Sequence, residues 1–536
     1  MVRFLVPRTI LIYFLALDLP VLREIMAVCL LFLLTWVLMA DARFRFASYF
    51  ADHMVLQKGP ACAVLWGYGE AGANLTVVVY QGNKIVMEKK AQADVFQIWK
   101  AVLNPMPQGG PHTIEVHQFY KGKDSNITLQ DVYFGDVWLC SGQSNMEMTV
   151  AQIFNASKEL AEASRFPYVR VFAASLAMSE EELRDLPDID LQWSLPTAEN
   201  LGHGTFGYFS AVCWLFGRYL YETLQYPIGL VESSWGGTPI EAWSSQKALQ
   251  ECALSKDRKR VPVSYLHSGP KEYSVLWNAM IHPLLNMTLQ GVIWYQGEAN
   301  TLMNTDLYNC TFPALIEDWR KAFHEGSVGQ TDRYFPFGFV QLSTESHEDV
   351  SDSFPRVRWH QTADYGYVPN KKMPNTFMAV ALDLCDSSSP YGSIHPRDKQ
   401  TVAYRLHLGA LAMAYGKDNL TFQGPYPQQV QVDVALKVLN VTYNQNIQLD
   451  HMDSKVFEVC CSDPALCLWN PIPIRTASFR TVTLHNLTCP ETVTGLRYAW
   501  TEWPCEYKQC PLYNMESLPA PPFISYSRNN SNWVVA

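Results

Sequence analysis

Between residue 131 and about residue 416, short apolar runs alternate with longer amphipathic ones. That alternation constrains the fold more than any other feature of the chain. The runs 136-DVWLCSG-142, 169-VRVFAAS-175, 227-PIGLVESSWG-236, 291-GVIWYQGE-298, 336-PFGFVQLS-343 and 377-FMAVALDL-384 are of strand length and almost wholly apolar. Interleaved with them are 208-YFSAVCWLFGRYLYETLQ-225, 312-FPALIEDWRKAF-323 and 397-RDKQTVAYRLHLGALAMAY-415. In the last of these, Val402, Leu406, Ala410 and Met413 recur at helical spacing. Strands that are apolar on both faces must be covered on both faces, and helices between them supply the cover. The expectation is an α/β fold with a parallel sheet.

The flanks read differently. Residues 43–130 carry short alternating runs, 75-LTVVVY-80 and 112-HTIEVHQF-119, separated by glycine turns, which suggests a β-rich N-terminal sandwich or barrel. Residues 417–536 are β-like again and hold six cysteines (Cys460, Cys461, Cys467, Cys489, Cys505 and Cys510). The expected domains are therefore 43–130, 131–416 and 417–536. Ahead of them, 26-MAVCLLFLLTWVLMADA-42 is an apolar stretch ending in the small-x-small pattern Ala40-Asp41-Ala42, and residues 1–25 read as an extension before it. This is a signal peptide cleaved near Ala42, too short for a membrane anchor of about 20 residues.

A secretory route, lysosomal or fully secreted, has independent support. Acceptors of the form Asn-x-Ser/Thr stand at Asn74, Asn126, Asn155, Asn286, Asn309, Asn419, Asn440, Asn486 and Asn529. Thirteen cysteines fall to an even twelve once Cys29 leaves with the leader, and in an oxidising compartment they read as disulfides. No C-x-x-C pair suggests a metal. The net charge of -10 offers no footprint for nucleic acid or an acidic membrane surface.

In an open parallel sheet, ligands bind beyond the carboxyl ends of the strands. Those ends carry Ser141 to Asn145, then 233-SSWGGTPIEAW-243, 295-YQGEANT-301 and 385-CDSSSPYGSIHPRDK-399. A serine, a glycine pair, an amide and a histidine with nearby aspartates are the parts for acyl transfer. A serine hydroxyl needs a base, histidine suits that role near neutrality, and a third group fixes the imidazole tautomer. The oxyanion then needs preset N–H donors. Each part also has an ordinary reading: Ser144 as a turn residue, Gly236-Gly237 as a tight turn, Gln296 and Glu298 as satisfied strand-end polar groups, Asp398 as a helix-entry residue. Cys140, the rival nucleophile, lies within the strand run and is expected to be buried or disulfide-linked.

Gly142-Gln143-Ser144-Asn145-Met146, Gly236-Gly237-Thr238-Pro239-Ile240 with Trp243, Trp294-Tyr295-Gln296-Gly297-Glu298, and Ile394-His395-Pro396 with Lys399 resemble the motifs of sialate O-acetylesterases, a branch of the SGNH hydrolases. The resemblance implies a flavodoxin-like SGNH sheet that removes O-acetyl groups from sialic acids, at position 9 and related positions, without cofactor or metal. It implies Ser144 as nucleophile and His395 as base and then acid. It also implies an oxyanion hole built from the Ser144 N–H, Gly236 or Gly237, and the Gln296 side chain. The third triad member is open: many SGNH enzymes place an aspartate three residues before the histidine, and here Gly392 stands there. Asp386 is the favoured candidate, with Asp383 and Asp398 nearby, and a dyad oriented by a backbone carbonyl is the alternative. An acetylesterase of other carbohydrates, and a glycan-binding glycoprotein without catalysis, are the competing functions.

Overall fold

The computed structural model describes residues 44–254, 269–347, 351–433, 435–450, 456–461, 467–485, 489, 493–527 and 533–534. The leader read from residues 1–42 and the acceptors Asn486 and Asn529 lie outside them. Fourteen strands precede the C-terminal region: β1 (Arg45–Phe46), β2 (Val55–Gln57), β3 (Val64–Tyr68), β4 (Asn74–Gln81), β5 (Lys84–Gln92), β6 (Ile98–Val102), β7 (Gly109–Tyr120), β8 (Lys123–Gly142), β9 (Val169–Ala174), β10 (Ile189–Ser194), β11 (Ile228–Ser234), β12 (Gly291–Tyr295), β13 (Phe337–Gln341) and β14 (Thr376–Val380).

The central sheet runs β10-β9-β11-β8-β12-β13-β14. It is parallel from β9 to β14, with β10 added antiparallel at one edge. This is the expected α/β architecture. Successive residues of β8 point into different cores, Val137 and Leu139 into one, Trp138 and Cys140 into the other. In β12, Val292 and Trp294 join the first while Ile293 and Tyr295 join the second. An apolar run without polar alternation is thus what a two-sided sheet requires. Four helices matter here: α1 (Ser144–Glu147), α2 (Ala211–Leu224), α3 (Tyr308–Gly326) and α4 (Lys399–Met413). Helices α2 and α4 cover one face, and α3 together with the N-terminal strands covers the other.

β8 is the spine of the molecule. Its first half pairs antiparallel with β7, and its second half lies between β11 and β12. The expected boundary at residue 130 therefore falls inside a 20-residue strand. The N-terminal strands share one apolar core with the sheet, Val77 and Trp99 with Leu139 and Trp294. The C-terminal region is built differently. It has small antiparallel sheets of five, four and two strands and a core of its own around Val441, Leu484 and Leu496.

Among the described residues five disulfides form: Cys140–Cys213, Cys252–Cys310, Cys460–Cys467, Cys461–Cys489 and Cys505–Cys510. The pairing is not complete, because Cys62 and Cys385 remain thiols. Cys385 is buried with its sulfur against the Cys505 carbonyl. Among the glycosylation acceptors, Asn74, Asn126, Asn155 and Asn419 are exposed. Asn286, Asn309 and Asn440 are half-buried, and their amides are engaged by Lys100, Asp364 and Thr483. Among the described residues, no helix is long and apolar enough to cross a membrane.

Candidate active site

Three parallel strands end level with one another: Gly142 of β8 is in register with Ser234 of β11 and Tyr295 of β12. Beyond that edge each strand gives way to a loop. At Gly142 φ is 143° and an added Cβ would lie 2.1 Å from the Tyr295 carbonyl oxygen. Only glycine fits there, and it turns the chain out of the strand straight into α1. Ser144 is the first residue of that turn, where a helix leaves its N–H groups without intrahelical acceptors.

Ser144 Oγ lies 2.8 Å from His395 Nε2, and His395 Nδ1 lies 2.7 Å from the carbonyl oxygen of Tyr391. A carbonyl only accepts, so the imidazole carries its proton on Nδ1 and presents a bare Nε2 to the serine hydroxyl. The two residues come from opposite ends of the α/β region and meet at the same sheet edge. They line a cavity of about 350 Å³ shared with Gln143, Glu147, Phe206, Trp235, Gly236, Gly237, Lys271, Glu298, Leu302 and others. The Phe206 ring stands 5.0 Å from the His395 ring, edge to face.

The aspartates sit elsewhere. Asp386, the favoured triad acid, accepts a fork from Arg397, Nε at 2.7 Å and Nη2 at 2.9 Å, together with the Arg397 N–H and the Ser388 hydroxyl. Although burial opposes it, these bonds to Arg397 hold the Asp386 carboxyl below the usual carboxylate range. Asp383 is forked by Arg405, and Asp398 accepts the Thr401 N–H at the start of α4. The structure does not bring Asp386 to the imidazole: the Arg397 guanidinium holds that carboxylate, and the Tyr391 carbonyl accepts from His395 Nδ1.

Gln296, expected to face the oxyanion, is placed beneath the glycine turn. It is fully buried, its Nε2 donates to the Thr238 carbonyl (3.1 Å) and to Asn300 Oδ1 (2.8 Å), and its Oε1 accepts from the Tyr308 hydroxyl (3.0 Å). Both amide hydrogens are spent beneath the glycine turn, so none faces the serine. Gly237 adopts φ 71° and shapes that turn. The Gly236 N–H donates to Glu147 Oε2 at 2.7 Å, within the corner that also holds Ser144. Burial pushes the Glu147 carboxyl up to about 7. Cys140 is tied to Cys213 and is no nucleophile.

Several residues around the site had been given no role. Asn145 donates to Glu298 Oε1 (2.6 Å) and to the Ile394 carbonyl (2.8 Å), and accepts from Lys399 Nζ (2.6 Å). It therefore braces the serine turn to the histidine loop. Burial pushes Glu298 up to about 7 and Lys399 down to about 7, both toward neutrality. Gln143 accepts the N–H groups of Gly297 and Ala299. Gln143, Asn145, Glu298 and Lys399 stood in the quoted motifs without a catalytic role, and Glu147, three residues after Ser144, shares a helical face with it.

Comparison with known proteins gives the family. Residues 134–388 match the model of carbohydrate esterase, sialic acid-specific acetylesterase, and residues 428–527 match the sialate O-acetylesterase C-terminal domain. The chain is 59% identical over 493 residues to the sialate O-acetylesterase of Homo sapiens, covering 91% of this chain and 93% of that one. It is 56% identical over 513 residues to the Mus musculus protein, covering 91% and 95%. A solved carbohydrate acetylesterase from Xanthomonas citri superposes with a TM-score of 0.74 at 26% identity, covering 90% of this chain and 99% of that one. Identity of that extent over nearly the whole chain places it firmly: this chain belongs to the sialate O-acetylesterase family of carbohydrate esterases.

Proposed function

We propose that the chain is a serine esterase that removes O-acetyl groups from sialic acids, at position 9 and related positions, and releases acetate. The observation that carries this reading is the 2.8 Å contact between Ser144 Oγ and His395 Nε2 on the wall of the cavity, in a member of this family. Ser144 Oγ attacks the acetyl carbonyl carbon while His395 Nε2 takes its proton. The oxyanion draws on the Ser144 N–H and the glycine turn, and the Gly236 N–H serves once Glu147 yields it. The C–O bond to the sugar breaks, and the leaving oxygen takes the proton from His395. Water, deprotonated by the same imidazole, cleaves the acetyl-serine and frees acetate. The Tyr391 carbonyl holds the imidazole in this cycle as the dyad reading requires, while Asp386 shapes the loop. The disulfides suit the secretory pathway, lysosomal or secreted.

The test is acetate release from 9-O-acetylated sialic acid by the folded protein and by Ser144→Ala. Loss on the order of 10⁴ or more in kcat is expected in the variant. Equal turnover in both would overturn the assignment of the serine. Turnover of other acetylated sugars but not of the sialate would overturn the substrate.

A further inference from the structure

The reacting ester does not explain one feature of the cavity. Among the described lining residues, Lys271 is the one lysine or arginine, and the other formal charges are Glu147, Glu298, Glu345 and the His395 already committed to Ser144. Its position is fixed from behind. Gly269 packs so tightly on the glycine turn that an added Cβ would come within 2.2 Å of the Gly236 carbonyl oxygen. Two residues on, Lys271 Nζ donates to the Gly237 carbonyl. The ammonium is thus held at the turn that borders the nucleophile, half-buried and facing the same space as Ser144 and Trp235. Burial lowers its affinity for the proton, so an ammonium there is short of solvation and gains from an anion brought into the cavity. Glu272, the next residue and exposed, is the carboxylate that acts on Lys271 and partly offsets that effect, while burial drives Glu147 and Glu298 on the cavity wall toward their protonated forms.

Hydrolysis of an acetyl ester creates its negative charge at the carbonyl oxygen beside Ser144. A sialic acid also carries a permanent carboxylate, remote from the ester and unchanged by the reaction. We infer that Lys271 is the specificity-determining residue that reads this carboxylate, pairing with it while the acetyl group lies at Ser144, and so separates acidic sugars from neutral acetylated ones. The inference rests on the proposed sialate substrate and adds to it the group that recognises it.

The experiment compares 9-O-acetyl sialic acid with its uncharged C1 carboxamide, as a ratio of kcat/KM within each protein. A general loss of activity then cancels. The wild type is expected to favour the acid by on the order of tenfold or more, with most of the difference in KM. Lys271→Met should bring the ratio close to one, and Lys271→Arg should restore much of it. Should the methionine variant fold poorly, Lys271→Gln supplies the same comparison. A wild type that hydrolyses both compounds equally, or a Lys271→Met protein that keeps the full preference, would overturn the inference while leaving the esterase reading intact. A wild type that cleaves neutral acetylated sugars and neither sialate would overturn the substrate reading, and the inference with it.

Discussion

Two polar clusters sit at the same edge of the sheet, and only one opens to the cavity. Ser144, His395 and the Tyr391 carbonyl form a chain of two hydrogen bonds whose near end faces solvent. Gln296, Asn300, Glu241 and Tyr308 form a tighter set under the Gly236–Gly237 turn, closed on itself: Asn300 donates to Glu241 Oε2 at 3.0 Å, and Asn300 Oδ1 also receives the Ile240 N–H at 2.9 Å. Both clusters grow from strand ends and both contain residue types suited to catalysis. The difference lies in access. The amide of Gln296 is fully buried with its donors spent inside the protein, whereas the serine hydroxyl and the imidazole, bonded to each other, line the cavity where an ester can reach them.

The largest expected effect tests the open cluster. His395→Ala should lower kcat by on the order of 10⁴, as loss of the base in a serine hydrolase does. Retained activity, measured as acetate release, would break the comparison outright.

The second test concerns the closed cluster. Gln296→Ala takes a partner from the Thr238 carbonyl and the Tyr308 hydroxyl in a dry interior, while Asn300 Oδ1 keeps the Ile240 N–H, at about 2–4 kcal/mol of stability. The folded remainder should keep kcat within roughly tenfold. A fall of 10²–10³ in kcat with unchanged melting would mean that the amide swings out to the oxyanion on binding, and the two clusters would then be one.

Asp386→Asn comes third. It weakens the fork to Arg397 that closes the loop from Asp386 to Arg397, and with it the placing of His395. A loss of kcat/KM within roughly tenfold is expected, far short of the roughly 10⁴ that follows loss of a triad acid. A loss of the larger size would restore Asp386 to the triad.

Much of the architecture was legible because it follows from repeated patterns. The run 136-DVWLCSG-142 forms the second half of β8, 291-GVIWYQGE-298 contains β12, and 397-RDKQTVAYRLHLGALAMAY-415 contains α4. Periodicity and burial on both faces determine such elements together. Strand ends likewise brought Ser144, Gly236 and His395 to one place. What sequence could not give was the direction of individual side chains. Whether Gln296 faces in or out depends on Asn300 and Tyr308, which the following turn and α3 bring beside it. Asp386 is diverted by Arg397, a pairing that exists only once the loop between them has closed. Lys271 follows no strand of the sheet, so no pattern marked it.

The smallest expected effect is on stability and separates the two regions by pH. Burial raises Glu147, Glu298 and Glu502 to about 7 and Glu232 to about 8, from an unfolded value of about 4.5. Between those limits the native protein holds protons that the unfolded chain releases, so stability is greatest below about pH 4.5 and is lost as pH rises through 7 to 8. His407, lowered by burial from 6.5 to about 4, and His112, also lowered by burial, oppose this loss up to about pH 6.5 without outweighing four glutamates, and two other sets of groups act outside that window. Asp131, Asp364, Asp386 and Asp398 are lowered, and their contribution disappears only as pH falls below the ordinary aspartate value of 3.8. Lys399, lowered to about 7 from 10.5, restores stability only above 7. The melting temperature should therefore be higher at pH 5 than at pH 7.5, by on the order of several degrees. Two of the four glutamates, Glu147 and Glu298, line the cavity, so the double variant Glu147→Gln, Glu298→Gln should flatten part of that slope. Gln296→Ala should leave the slope alone, because it removes a neutral amide from the closed cluster. A melting temperature that rises from pH 5 to 7.5 would mean that these carboxyls are ionised in the native state, and that the corner shared by Ser144, Gly236 and Glu147 is wetter than its packing implies.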